Sequence, residues 1–173
     1  NYRRAKWKIS ANQSSSDTLI LCADDSEAAS VPSSIKSSIL SFSSQHPVQP
    51  GMFVREGNLV FALLHQEEVL MHTHDVRLPG AHNVYNSMAA ALAARCLEIR
   101  NEDLRDSLAS FAGVEHRLEY VRTIHSTEFI NDSKATNVNA TWYAVQSFSK
   151  PIILIAGGRG DGNDYSLLDE AIR

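Results

Sequence analysis

The chain has 173 residues, of which 43% are hydrophobic and 21% charged, as expected for a globular protein with a buried core. Sixteen basic against twenty acidic residues give a net charge of −4, which argues against a nucleic-acid surface. Cys22 and Cys96 fit no metal spacing or disulfide framework. No signal peptide or run of about 20 apolar residues is present, so we expect a cytosolic protein without membrane contact.

The two ends of the chain predict a piece of a longer protein. Residue 1 is asparagine rather than methionine, and a helical pattern begins at once. The final residues, DYSLLDEAIR, begin an amphipathic helix that needs further structure to pack on. We therefore expect additional segments on both sides.

Residues 1–112 predict an α/β domain. The run DTLILCADD is continuously apolar before its acids, which predicts a buried parallel strand at 17–25. The serine-rich stretch 33–44 permits a flexible segment, although it also holds apolar residues. The other predicted elements are a helix at 2–13, a hairpin of 52–55 and 59–64, a strand within 67–78, and helices at 81–99 and 101–111, the last capped by Asn101.

The pattern changes near Gly113, where we place a boundary between domains of residues 1–112 and 113–173. The elements predicted for residues 113–173 follow the order β-β-α-β-α, which predicts the start of a doubly wound sheet and an α/β fold class. The predicted elements are strands at 117–125 and 127–131, a helix at 138–148 capped near Asn137, a buried strand at 151–158, and a helix that begins at Asp164.

Two asparagines stand at the start of the helix predicted at 81–99. In GAHNVYNSMAA, Asn83 and Asn86 lie three positions apart and so share a helix face. A carboxamide has both donors and an acceptor, which suits the edge of an adenine. The motif alone favours a plainer interpretation, in which one asparagine is a helix cap and the other a tolerated polar residue.

A charged motif, GVEHRLE, lies at the predicted boundary. Arg117 could bind a phosphate through its planar guanidinium group. It could equally form a salt bridge with Glu115 or Glu119. The sequence of this motif does not separate the two interpretations.

The most polar stretch, FINDSKATNVNAT, joins a predicted strand to a predicted helix, where open α/β sheets bind ligands. Asp132 could accept a hydrogen bond from a ribose hydroxyl, and Lys134 could pair with a phosphate or carboxylate. Thr136 could donate to an anion near the helix N-terminus. Because a plain cap needs one polar residue rather than six, the stretch indicates a ligand site.

Two motifs give weaker signals. IILIAGGRGDGND runs from a strand into glycines, but Asn163 stands where a dinucleotide fingerprint has glycine, and the chain has no Walker A sequence. In HTHD, His72 and His74 would share a strand face, but no further metal ligands accompany them. The other histidines belong to no metal or catalytic pattern.

Taken in chain order, YRRAK, GAHNVYNSMAA, EHRLE, INDSKATN and the glycines before NDYS resemble the Mur ligases. INDSKATN resembles the D-glutamate-adding branch of that family. The resemblance implies the latter part of a P-loop-type central ATPase domain up to about residue 112, then the start of a Rossmann-like C-terminal domain. It further implies a cytoplasmic bacterial enzyme of peptidoglycan synthesis that uses ATP and Mg²⁺ to join D-glutamate to UDP-N-acetylmuramoyl-L-alanine, and a fragment that is inactive alone.

The resemblance also implies a role for each matching residue. Lys6 corresponds to a lysine that the family carbamylates, which would give an anion beside magnesium, and Lys6 and Lys134 are the catalytic candidates. The implied ligand contacts are adenine for Asn83 and Asn86, phosphate for Arg117, ribose for Asp132, and the acyl-phosphate and D-glutamate side for Lys134 and Thr136.

One position departs from the family pattern. Asp161 stands where the family usually has a lysine that helps to hold D-glutamate, and an acid would repel the carboxylates of that substrate. A non-catalytic nucleotide-binding module on the same scaffold is therefore the alternative. A dinucleotide-dependent oxidoreductase is disfavoured, because the glycine-rich turn does not match the fingerprint.

Overall fold

The computed structural model describes residues 2–26, 28, 31–63, 66–159, 162–169, 171 and 172, without the side chains of residues 2–4. The chain forms two compact units, each with its own internal contacts. The N-terminal unit comprises Asn1–Arg77 and Asn83–Ser110, and the C-terminal unit comprises Leu78–His82 and Phe111–Arg173. The proposal that residues 1–112 and 113–173 are separate domains remains a prediction.

A mixed five-stranded sheet is the frame of the N-terminal unit. Its strands follow the chain in the order β1 (Thr18–Cys22), β2 (Ser38–Ser43), β3 (Gly51–Arg55), β4 (Asn58–Leu63) and β5 (Gln66–His72). The first three strands are parallel, and β4 and β5 extend the sheet in antiparallel fashion. The predicted parallel strand and the predicted hairpin are both present.

Strand β2 corrects the interpretation of the serine-rich stretch 33–44 as a flexible segment. It lies between β1 and β3 and pairs with both. Phe42 is buried in the main hydrophobic core of the N-terminal unit, and Leu40 packs against the same core. Residues 38–43 are therefore not a flexible segment, as the apolar residues of the stretch indicate, because these side chains gain burial in the sheet while the buried Ser43 hydroxyl has a hydrogen-bond partner.

Helix α1 (Tyr2–Trp7) is shorter than predicted, because a 3₁₀ turn, Lys8–Ser10, follows it. Helix α2 (Ala81–Cys96) buries Met88 and Leu92 in the main core, as its four-residue spacing predicts. Among the described residues, no helix combines the length and apolar content needed to cross a membrane.

Helix α3 (Asn101–Ser110) has acids in its first turn, as predicted, but Asn101 does not cap it. The Asn101 side-chain oxygen has no hydrogen-bond partner among the described residues, and its amide donates to Glu68 instead. The prediction of an Asn101 cap is therefore wrong. The charged Glu68 carboxylate takes the Asn101 amide as its donor, which leaves the Asn101 oxygen turned away from the backbone N–H groups of the first turn.

The C-terminal unit begins with a hairpin of β6 (Glu119–Ile124) and β7 (Thr127–Asn131), as predicted. Its two turn residues, His125 and Ser126, both have positive φ, the geometry that a two-residue hairpin turn requires. Helix α4 (Val138–Gln146) follows, and the Asn137 side chain accepts a 2.8 Å hydrogen bond from the Ala140 N–H. The predicted Asn137 cap is confirmed.

The predicted buried strand at 151–158 is not formed. Ile153 and Ile155 are 90% and 92% exposed, so the apolar run is not buried. A strand needs a neighbouring strand to take its backbone hydrogen bonds, and the only sheet among the described residues of this unit is the β6–β7 pair. The helix predicted from Asp164 is a 3₁₀ turn, Ser166–Leu168.

Candidate functional site

The polar stretch INDSKATN and the boundary motif EHRLE lie against each other in the C-terminal unit. The Lys134 N–H donates to the His116 carbonyl at 3.0 Å. The Leu118 N–H donates to the Asp132 carboxylate at 3.2 Å. Two motifs from separate parts of the sequence therefore form one surface, which we call the INDSKATN surface and define as residues 115–119 with 130–137.

The loop that carries Arg117 is held in an uncommon conformation. His116 and Leu118, its two neighbours, have φ of 68° and 46°, a region that non-glycine residues seldom adopt. The Glu119 carboxylate accepts from the His116 N–H at 2.8 Å and from the Asn131 amide at 3.2 Å. These bonds hold the backbone on both sides of Arg117 and so limit where its guanidinium can reach.

The salt bridge that could have explained Arg117 is not formed within the described part of the chain. Glu119 contacts the His116 ring instead, with 3.5 Å between Oε2 and Nδ1, and Arg117 itself is exposed. The phosphate-binding role of Arg117 remains a prediction.

Lys134 and Thr136 are exposed on a compact turn directly before α4. The Ala135 N–H donates to the Asp132 carbonyl at 2.8 Å, and the Thr136 N–H donates to the Lys134 carbonyl at 2.9 Å. Because the backbone bonds of this turn are local, the Lys134 and Thr136 side chains extend from a defined scaffold. Their proposed contacts with substrate remain predictions.

His82 interacts electrostatically with Arg117 and Asp132 of the same surface, although no sequence motif assigns it a role. Burial lowers the pKa of the His82 imidazole, and the charge of Arg117 lowers it further, against the opposing effect of Asp132. Its ring centroid lies 5.9 Å from that of Tyr143 on α4. His82 is therefore a neutral imidazole at neutral pH, close to two of the predicted nucleotide ligands.

A sequence signal for His82 exists in the glycine two positions before it. Gly80 has φ of 97°, and a Cβ there would lie 2.7 Å from the Ser147 hydroxyl and 3.0 Å from the His82 ring. The glycine therefore permits a close approach that a larger residue would prevent. A glycine followed by a histidine at a helix start could have indicated this packing.

Asn83 and Asn86 lie in the N-terminal unit on one face of α2, as predicted. Asn83 is buried and Asn86 exposed, and the Asn86 side-chain amide donates to Asn83 Oδ1 at 3.2 Å. They are the third and sixth residues of α2, so neither precedes the helix as a cap does. Their contact with adenine remains a prediction.

The metal candidates differ in their surroundings. Lys6 is exposed on α1, and its carbamylation remains a prediction. His72 and His74 have stacked rings 4.9 Å apart, and His72 Nδ1 accepts the His74 N–H. In the described ranges, no group of three histidine, cysteine or acidic residues could hold a metal ion. Asp161 lies outside the described residues, so its effect on D-glutamate binding is also a prediction.

Comparison with known proteins gives the family. The Mur ligase middle domain matches residues 1–94. The chain belongs to the Mur ligase family. Its match to the family domain covers more than half of the chain and includes Lys6, Asn83 and Asn86.

Curated relatives of this Mur ligase chain extend the match through the C-terminal unit. The UDP-N-acetylmuramoylalanine--D-glutamate ligase of Salinibacter ruber is 40% identical over 178 residues, which cover 99% of this chain and 38% of that protein. The enzyme of the same name from Koribacter versatilis is 41% identical over 171 residues, which again cover 99% of this chain and 38% of that protein. The chain therefore spans about 38% of the length of these relatives.

Solved structures agree at the level of fold. MurF from Acinetobacter baumannii matches with a TM-score of 0.65 and 23% identity, over 83% of this chain and 32% of that one. The α/β fold class predicted from the sequence is confirmed.

Proposed function

We propose that the full-length protein carrying this chain is a cytoplasmic, ATP-dependent ligase that joins D-glutamate to UDP-N-acetylmuramoyl-L-alanine. The observation that supports this most directly is about 40% identity, over 99% of the chain, to ligases of that name. In the proposed reaction, the substrate carboxylate takes the γ-phosphoryl group of ATP and releases ADP. The amine of D-glutamate then attacks the acyl phosphate, and phosphate leaves as the amide forms.

The INDSKATN surface suits the phosphate and carboxylate groups of such a reaction. Arg117 and Lys134 are exposed cations on segments joined by the Lys134–His116 hydrogen bond. Cations held in place before the reaction stabilise charge that develops during phosphoryl transfer. Arg117 binds ATP phosphate in this proposal, while Lys134 and Thr136 contact the acyl phosphate and D-glutamate.

Asp132, Asn83 and Asn86 are the proposed contacts for the nucleoside part of ATP. The Asp132 carboxylate uses one bond to hold Leu118, and a carboxylate can accept further bonds from ribose hydroxyls. The Asn86 carboxamide has two donor hydrogens and an acceptor, and its contact with Asn83 uses one donor. Asn83 and Asn86 bind the adenine in this proposal.

Mg²⁺ is the proposed cofactor, and when bound it would neutralise the charge of the phosphate groups. Mg²⁺ takes oxygen ligands, often one or two protein anions together with phosphates. Lys6 fits this only after reaction with CO₂, which converts its amine to a carbamate with two oxygens. Its exposed position on α1 leaves the side chain accessible to that reaction.

A non-catalytic nucleotide-binding module is the second candidate function. Asp161 favours it, because an acid replaces the lysine that the family pattern leads us to expect for D-glutamate binding. Such a module would bind ATP through the same residues but would transfer no phosphoryl group to a substrate carboxylate.

Phosphate release separates these two functions. The full-length protein is supplied with ATP, Mg²⁺ and UDP-N-acetylmuramoyl-L-alanine, with and without D-glutamate. A ligase releases phosphate only when D-glutamate is present, whereas no release in either mixture would contradict the ligase and leave the binding module. The 173-residue chain alone should release none, because it contains no Walker A sequence.

The same assay tests Asp132. The Asp132→Ala variant of the full-length protein should show a KM for ATP raised about tenfold, as expected for loss of a charge-assisted hydrogen bond. An unchanged KM would remove Asp132 from the ATP site without contradicting the ligase reaction.

A further inference from the structure

A buried carboxylate, Asp24, stands at the end of strand β1 in the N-terminal unit. Its side chain is 4% exposed. One oxygen, Oδ1, accepts from the Ser43 hydroxyl at 2.5 Å and lies 3.3 Å from His46 Nδ1. The other, Oδ2, accepts from the Ser44 N–H at 2.8 Å and from the Tyr85 hydroxyl at 2.7 Å.

These four contacts fill the acceptor positions of the Asp24 carboxylate. A carboxylate has about four acceptor positions, and each oxygen here has two polar partners. Although the ends of parallel strands are a common place for ligands, this carboxylate is already occupied by the protein itself. Its role is therefore to join elements of the fold rather than to bind a ligand.

The element that Asp24 joins to the sheet is α2, through Tyr85. The Tyr85 hydroxyl also accepts from the Ser44 hydroxyl at 2.5 Å. Its ring meets Phe42 of β2 edge-on, with centroids 6.3 Å apart. Tyr85 is thus held both at its ring and at its hydroxyl, which restrains the rotation of the helical turn on which it stands.

The charge of Asp24 strengthens this restraint. Burial acts to raise the pKa of Asp24, but hydrogen bonds from Ser43, Tyr85 and Ser44 outweigh it, so the pKa lies below its usual value. Asp24 is therefore ionised at neutral pH. Hydrogen bonds to an ionised acceptor are shorter and stronger than those between neutral groups.

Tyr85 lies between the two asparagines of α2. Asn83 is two positions before it and Asn86 one position after it, within the same two turns of helix. Residues one and two positions apart in a helix do not face each other, so Tyr85 can act on the two carboxamides only through the backbone of the turn that it anchors. We propose that Asp24 and Tyr85 are positioning residues, which orient Asn83 and Asn86 for the nucleotide base. This inference rests on the proposed ATP site.

The test uses Tyr85→Phe in the full-length protein, because this variant keeps the ring against Phe42 and removes only the hydroxyl. Val60→Ala is the matched control: Val60 is buried in a second core cluster with Phe53 and Ala62, to which α2 contributes no residue. Tyr85→Phe should raise the Kd and KM for ATP about fivefold, with kcat changed less than twofold. Val60→Ala should leave all three constants within twofold of wild type.

A combined variant shows whether Tyr85 acts through the asparagines. Removing both carboxamides, Asn83→Ala together with Asn86→Ala, should weaken ATP binding, and adding Tyr85→Phe should weaken it little further, because the groups that Tyr85 positions are already gone. An additive loss on adding Tyr85→Phe would overturn the inference, as would equal effects of Tyr85→Phe and Val60→Ala.

The remaining outcomes distinguish this inference from the proposed function. If wild type binds ATP and Asn86→Ala weakens binding but Tyr85→Phe does not, the inference is overturned and the ATP site stands. Wild-type affinity in the variant that lacks both carboxamides also overturns it, because neither asparagine would then contact the nucleotide. If wild type binds no ATP, the proposed function fails and the inference fails with it.

Discussion

Single residues of the INDSKATN surface owe their properties to neighbours that are distant in sequence. Arg117 stands between two residues with positive φ, and the Leu118 N–H beside it donates to Asp132, 14 positions away, while the Glu119 carboxylate accepts from the His116 N–H and the Asn131 amide. Burial and the charge of Arg117 lower the pKa of His82. Neither property follows from the residue types alone, since each depends on groups brought together by folding.

His82 should make the stability of the protein depend on pH. The folded state lowers its pKa from 6.5, so the unfolded chain binds the proton more readily, and stability falls as pH drops below 6.5. In His82→Gln, the decrease in the free energy of unfolding between about pH 7.5 and pH 5.5 should be shallower. Urea unfolding across this range measures the difference.

The control for His82 is His125→Asn, in the exposed turn of the β6–β7 hairpin, where asparagine tolerates positive φ. This variant should keep the pH dependence of wild type. If His82→Gln kept it as well, the burial of His82 would not contribute to the pH dependence.

At the scale of elements, the parallel pairing of β2 and β3 depends on a glycine. Gly51 pairs with Ser41, and a Cβ on Gly51 would lie 1.8 Å from the Ser41 carbonyl oxygen. No side chain fits at this distance unless the two strands separate. The glycine therefore permits the pairing that buries Phe42 and Met52 in the main core.

Gly51→Ala should destabilise the protein by about 3 kcal/mol or more, because the strands must move apart to admit the methyl group. Gly157→Ala is the control, since a Cβ on Gly157 would meet no atom within 4 Å. Its effect should stay within about 0.5 kcal/mol. Urea unfolding of both variants provides the comparison, and equal stabilities would contradict the close approach.

At the scale of the whole molecule, the chain consists of two units and passes between them at residues 77–78, 82–83 and 110–111. Residues 111–114 have no regular secondary structure, and Phe111 is 50% exposed. Segments of this kind are the usual sites of proteolytic cleavage. Limited proteolysis can therefore test the predicted boundary near Gly113.

Limited digestion with chymotrypsin should cut after Phe111 and leave residues 1–111 as a persistent product, identified by mass. The buried aromatic residues of the sheet, such as Phe53 and Phe61, should resist cleavage. Phe111→Ser should remove the cut at this position while later cuts persist. Early cleavage within α2, with no product ending near residue 111, would contradict the predicted boundary.

The sequence by itself determined the features that depend on nearby residues. The β3–β4 and β6–β7 hairpins, the buried face of α2 and the Asn137 cap all follow from patterns within a few positions, and INDSKATN indicated the family. Tertiary structure alone decided the pairing of β2, the exposure of 151–158 and the lowered pKa of His82. The Asp24–Tyr85 hydrogen bond joins residues 61 positions apart. Strand pairing, burial and pKa shifts depend on such distant partners, which no local pattern specifies.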